Sequence, residues 1–270
     1  MKHTVSILFI LLTHHVTAQE LFTWSEPASN MAAKSFGFRS TNTFMKENGS
    51  GKYNYLLRPE IMWGISGKMM MHAEGFFGNE NNGFKANGAA LYFKYRFLSN
   101  DEVHSHFRMA VYARTTLNNS SLYQQSIELN ERNSGYEAGL ITTKLINKVS
   151  LSVTSGFLHA TDNAGNNKFP YPAKYRNALG YVFSIGKLML PKEYTSYKQT
   201  NLNLMLELLG QTNLGKGRSY LDLAPVAQLI IFSRMRIDLS YRFAIVKDIY
   251  RTSTAGFLLR FDYNIFNAYK

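Results

Sequence analysis

The stretch from Met235 to Phe266 limits this chain more than any other. Its side chains alternate with period two: Met235, Ile237, Leu239, Tyr241 and Phe243 share one face, Arg236, Asp238, Ser240 and Arg242 the other. After a short polar connection the pattern resumes with Phe257, Leu259, Phe261, Tyr263 and Ile265 against Arg260, Asp262 and Asn264. The apolar face is long, aromatic and uninterrupted, while the other carries charge in nearly every slot. In a soluble sandwich the wet face looks at solvent and the greasy face is its core. A barrel with hydrocarbon outside and water or ion pairs inside calls for the pattern seen here.

The start of the chain agrees with that setting. Lys2 and His3 give a positive start, Val5 to Leu12 an apolar run, and Val16, Thr17 and Ala18 a small-residue exit before Gln19, so residues 1–18 read as an export signal. No later stretch approaches the roughly 20 apolar residues of a membrane helix. A membrane-embedded chain of this kind must then be a closed barrel, since an open sheet edge would leave backbone groups unpaired in lipid. Aromatic residues make up 14 % of the chain, as suits a protein with rims at two lipid–water interfaces. Cysteine is absent, which removes disulfides, thiolate metal sites and cysteine nucleophiles. The net charge of +12 falls to about +11 once the signal is removed. Its Lys and Arg residues are dispersed through strands and turns instead of collected on a helix or arm, which argues against nucleic acid as partner.

Residues 19–33 have a proline, small residues and no period, and are expected to form a periplasmic lead-in. An all-β barrel over 34–266 and a tail at 267–270 follow. Strands are expected near 34–46, 53–65, 68–78, 87–98, 106–116, 134–146, 149–159, 176–189, 201–212, 219–232, 235–245 and 253–266. That makes a closed antiparallel transmembrane barrel of about twelve strands. Ser66-Gly67, Asn147-Lys148 and Ser233-Arg234 are tight turns at even-numbered connections, on the expected periplasmic side. The long loops, 117–133 and 160–175, fall at odd-numbered ones, and the mid-length connections 99–105 and 191–200 are exceptions to the rule.

With its signal ending before Gln19, the lead-in Ser25 to Ser35 (SEPASNMAAKS) and the barrel pattern running to its end, the chain resembles the uncharacterised outer-membrane β-barrel proteins of Bacteroidota, similar in outline to small porin-like barrels. The resemblance implies an outer-membrane location and contact with bilayer lipid and the barrel assembly machinery. It carries over no functional motif. Such barrels commonly end on an aromatic residue; here Tyr269 is penultimate and Phe266 is the alternative.

The inward face supplies the candidate site. It reads Arg39, Arg58, Lys94, Arg96, Arg108, Arg114, Arg236, Arg242 and Arg260 against Glu60, Glu137, Glu207, Asp222, Asp238 and Asp262. The structural reading is a ladder of ion pairs stiffening the wall, because an isolated buried ion costs several kcal/mol. The functional reading is a basic constriction for anionic solutes, with Arg236, Arg242, Arg260 and Arg39 brought together by barrel closure. The chain is accordingly expected to be a porin-like passive conduit for small polar solutes, without cofactor, metal or catalysis. The rival is a non-conducting barrel that anchors or receives an envelope partner, in metal handling for example. Full pairing of the inward arginines would favour the rival and surplus arginines the conduit.

Other clusters are better explained without chemistry. In Lys68-Met69-Met70-Met71-His72 alternation sends Met69 and Met71 to one face and Met70 and His72 to the other, so few soft ligands converge. His104 and His106 flank a turn. Ser155 and His159, with Asp162 close by, are four residues apart on one strand, about 13 Å, too far for a triad. Gly210, Gly215 and Gly217 resemble a phosphate loop but no helix follows. Asn118-Asn119-Ser120 matches a glycosylation pattern by chance. The long loops either fold into the pore, cover it as a lid, or form mobile surface.

Overall fold

The computed structural model describes residues 22–79, 83–102, 105–193, 196 and 199–269; the expected export signal and His104 lie outside them. Twelve strands follow one another: β1 (Ser35–Glu47), β2 (Tyr53–Gly64), β3 (Met69–Gly78), β4 (Lys85–Asp101), β5 (Ser105–Asn118), β6 (Gly135–Ile146), β7 (Val149–Ala160), β8 (Asn177–Leu190), β9 (Asn201–Asn213), β10 (Ser219–Ile231), β11 (Met235–Lys247) and β12 (Ser253–Ile265). Each pairs antiparallel with its chain neighbours, and β1 closes the ring on β12 from Phe36 opposite Ile265 to Glu47 opposite Ser253. No edge is left.

The alternation in the sequence becomes the two surfaces of the wall. Leu239, Phe257 and Phe261 are 55 %, 46 % and 44 % exposed, whereas Arg236 and Arg260 are each 3 % exposed. Apolar side chains therefore form the outside and ions the lining, as hydrocarbon surroundings require. Aromatic groups gather at both rims. Phe36, Trp63 and Tyr269 pack together, and Trp63 Nε1 donates to Tyr269 Oη at 2.8 Å. Near the opposite rim Phe44, Tyr55, Phe84 and Phe77 form a chain of stacked rings. Tyr269 thus works as a girdle residue despite not being last.

The connections differ from expectation at one place. β4 runs to Asp101, opposite His106 of β5, and Glu102 N donates to Ser105 O, so the paired strands take up most of the expected mid-length connection. The eighth, from Pro191 to Thr200, stays long. In the turn between β10 and β11 Phe232 and Ser233 take φ of 52° and 56°, the left-handed conformation that matches strand twist in a tight hairpin.

The lead-in is not outside the barrel. Residues 22–31 cross the lumen in the half nearer the short turns, and their apolar side chains make the small hydrophobic clusters found there. Phe22 packs with Met205 and Val226, Ala28 with Tyr92, Ala110, Tyr112 and Ile141, and Met31 with Met62 and Met70. The missing period, expected to mark a periplasmic lead-in, belongs to a chain that follows the lining instead of joining the sheet.

Candidate functional site

Period two places the ionic residues on the lining, and antiparallel register decides which ones meet. Arg39 of β1 stands opposite Asp262 of β12 and Glu60 of β2. Its Nε donates to Asp262 at 3.1 Å, and its NH1 pairs with Glu60 at 3.3 Å and with Glu26 of the crossing segment at 2.6 Å. Arg236 of β11 shares Asp262 at 2.8 Å and lies 3.3 Å from Asp238. Arg58 pairs with Glu60 at 3.0 Å, and Arg114 with Glu74 at 2.6 Å. Arg108 pairs with Asp101 at the rim. Arg242 meets Asp222 at 2.6 Å and has its guanidinium over the rings of Trp24 and Tyr220. Arg260 donates from Nε to Thr41 Oγ1 at 3.1 Å, and no ion pair among the described residues includes it.

Arg39, Arg236 and Arg260 are therefore neighbours around Asp238 and Asp262. Arg242 is drawn away to Asp222. Arg96 keeps the inward parity of Tyr92 and Lys94, opposite buried Ala110, but it sits toward the short-turn end, where its NH2 donates to Gly67 O. Lys94 is buried, with Nζ donating to Pro27 O at 2.6 Å and Ser29 O at 2.8 Å.

The crossing segment meets the opposite wall through donors. Glu207 Oε1 accepts from the backbone N–H of Thr23 at 2.8 Å and of Trp24 at 3.0 Å. Thr23 Oγ1 donates to Asp238 at 2.9 Å, and Trp24 Nε1 to Ser240 Oγ at 2.9 Å. Ala28 N donates to Thr143 Oγ1 at 2.9 Å, and Arg108 NH1 to Ser29 Oγ at 2.8 Å. Arg39, Lys94 and Arg108 thus donate to the segment's oxygens, while the carboxylates of Glu207 and Asp238 and the hydroxyls of Ser240 and Thr143 accept from its N–H and O–H groups.

The other half of the lumen is filled from the long-loop end. The loop after β5 folds inward, where Gln211 accepts from Ile127 N at 2.9 Å and donates to Ile127 O at 2.8 Å. Thr116 Oγ1 donates to Leu129 O at 2.9 Å. Leu122, Ile127 and Leu129 pack with Leu158, Phe169 and Tyr175, so the two long loops share a core. Between this loop and the wall a cavity of about 10 Å³, bordered by Gln124, Glu128, Glu131 and Arg242, has room for about one water molecule. Of the loop carboxyls, Glu131 is raised above the usual range by burial and by Glu128 beside it, while Asp162 is lowered by the Phe169 N–H and Arg176.

Four members of this lining lay outside the expected set. Glu26 and Arg251 are off the strands, where alternation gives no reading. Glu74 and His72 share inward parity on β3, a signal the sequence did hold. Glu60, His72 and Glu74 bring ligand atoms within 4.8 Å of one another. Arg39, Arg58 and Arg114 already donate to those carboxylates, so guanidinium supplies the positive charge a metal would bring. Ser155, His159 and Asp162 do not form a triad: His159 Nδ1 bonds Asn177 Oδ1 at 2.7 Å, and Asp162 is held by Phe169 N and Arg176. Gly215 sits under Lys174 O, where a Cβ would stand 2.2 Å away, so close packing explains that glycine.

A closed antiparallel barrel with an apolar exterior, aromatic rims and an ionic lining defines an outer-membrane β-barrel of porin-like form. No family model matches the chain, and no curated protein does. Among solved structures it is similar to the KdgM porin, at 10 % identity over 85 % of this chain and 98 % of that one, with a TM-score of 0.49. The NanC porin gives 10 %, 84 %, 97 % and 0.47 in the same order, and OprD of Pseudomonas aeruginosa 8 %, 88 %, 97 % and 0.40. No site residue is carried over from them.

Proposed function

We propose that this barrel is a non-catalytic, passive conduit for small polar solutes, with anions favoured, and that residues 22–33 and the loop after β5 hold it shut in the conformation described. The observation that carries this reading is how the lumen is filled. Its occupants are two segments attached at opposite ends and held by polar side-chain contacts, so moving them opens a path lined by Arg39, Arg236 and Arg260. Arg260, buried without an ion-pair partner among the described residues, supports the preference for anions. The Bacteroidota resemblance and insertion by the barrel assembly machinery belong to the same proposal.

Planar-bilayer recording tests it. The full chain should conduct rarely, and a variant lacking residues 22–33 should conduct steadily with an anion-shifted reversal potential. Silence from the correctly folded shortened barrel would end the conduit reading. Arg236→Ala with Arg242→Ala should weaken the anion preference; an unchanged reversal potential removes both from the selectivity argument. The second reading, a non-conducting anchor or receptor for an envelope partner, draws on the pairing of nearly every other inward arginine with a carboxylate.

A further inference from the structure

The segment that crosses the lumen is held as a ligand is held. Among the described residues no backbone-to-backbone hydrogen bond joins residues 22–33 to a strand. Their main-chain groups are instead read by wall side chains: Glu207 takes two successive N–H groups, Thr143 a third, and Lys94 two carbonyl oxygens. Glu26, the one carboxylate between Phe22 and Ala33, reaches Arg39 at 2.6 Å and lies 3.8 Å from Lys94. Trp24 is set beneath the Arg242 guanidinium at 5.2 Å. Main-chain contacts that ignore side-chain identity, joined to one charge contact and one aromatic contact that do not, are how a peptide ligand is recognised.

We propose that the inner wall of this barrel is a binding site for an acidic peptide supplied in trans and bound in the bent conformation of its resident occupant, residues 22–33. Arg39 and Lys94 take the peptide's carboxylate, Glu207 and Thr143 its amides, and Arg242 an aromatic residue two positions before the acid. An incoming peptide competes with the chain's own segment and displaces it from the lumen. This rests on the segment being the movable closure argued above, and it adds a partner to that closure.

The test uses the full chain carrying Glu26→Gln, which loosens the resident segment while keeping every main-chain contact. A fluorescently labelled synthetic peptide of residues 22–30 is titrated into it and anisotropy is read. Specific, saturable binding is expected, about tenfold weaker for the same peptide bearing Glu26→Gln, the size expected from losing one charge-assisted hydrogen bond. Because that comparison changes the peptide and not the barrel, misfolding cannot mimic it. Equal binding of the two peptides, or none up to millimolar concentration, overturns the proposal. Discriminating binding by a barrel that never conducts upholds the site and removes the conduit. Steady conduction by a barrel that does not discriminate the peptides does the reverse.

Discussion

Glu26 Oε1 lies 2.6 Å from Arg39 NH1, so a carboxylate from outside the sheet completes the coordination of a guanidinium that the wall's Glu60 and Asp262 already hold. This contact fastens the crossing segment near its middle. Glu26→Gln keeps the shape and removes the charge, weakening a charge-assisted bond worth about 1.5–3 kcal/mol to an ordinary one. Protease cleavage within residues 22–33 should accelerate about tenfold while the strands stay protected. An unchanged cleavage rate would mean that the main-chain contacts to Glu207, Thr143 and Lys94, with the apolar packing, hold the segment without the Glu26 charge.

Gln211 makes the corresponding contact for the outer loop, with its amide satisfying both backbone groups of Ile127. Gln211→Leu leaves that N–H and C=O facing apolar surroundings, at about 1–3 kcal/mol for the groups orphaned. Hydrogen exchange at the Ile127 amide should quicken by an order of magnitude or more without a change in exchange of the neighbouring strands. Equal exchange in both proteins would show that the Leu122, Ile127 and Leu129 core and the Thr116 bond to Leu129 O hold the loop without Gln211.

Loop closure should also depend on pH. Burial, and then Glu128, raise the Glu131 carboxyl, so the closed loop binds this proton more tightly than the open one. Its contribution is fully present below the carboxyl's ordinary range and is lost as pH rises through the raised value. Exchange at Ile127, corrected for the intrinsic rate, should therefore increase across that window, and Glu131→Gln should flatten the dependence. A rising protection instead would reverse the assignment.

What could be read from the sequence follows from how far each signal reaches. Alternation is set by the local pleat, so it gave the twelve strands, the outward Leu239 and Phe257, and the inward Arg236 and Arg260 from a few residues at a time. The lead-in had no such signal. Thr23 meets Glu207 across 184 positions, and nothing near Thr23 announces that partner. Alternation also does not say how far along the barrel axis a residue ends: Arg96 has inward parity opposite Ala110, but its NH2 reaches the turn at Gly67 O. Arg251 was missed because it stands in a connection, where position along the chain carries no facing.

Arg251 leads to the largest effect on stability. Asp222 is fully buried and receives Arg242 Nε at 2.6 Å, Arg251 NH1 at 2.6 Å and Arg251 NH2 at 2.7 Å, so one carboxylate is the shared counter-charge of two guanidiniums. Arg251 also lies over the Tyr220 ring at 3.9 Å, which fixes the connection into β12 against β10. Asp222→Asn preserves volume and leaves two buried cations without their shared counter-charge, and breaking a buried pair in this way costs about 3–5 kcal/mol. Urea unfolding of the barrel in detergent should show a lowered midpoint with an unchanged slope, because the surface exposed on unfolding stays the same. A loss under about 1 kcal/mol would mean that the two guanidiniums find water or other acceptors when the charge is removed, and that this end of the lumen is wetter than its packing implies.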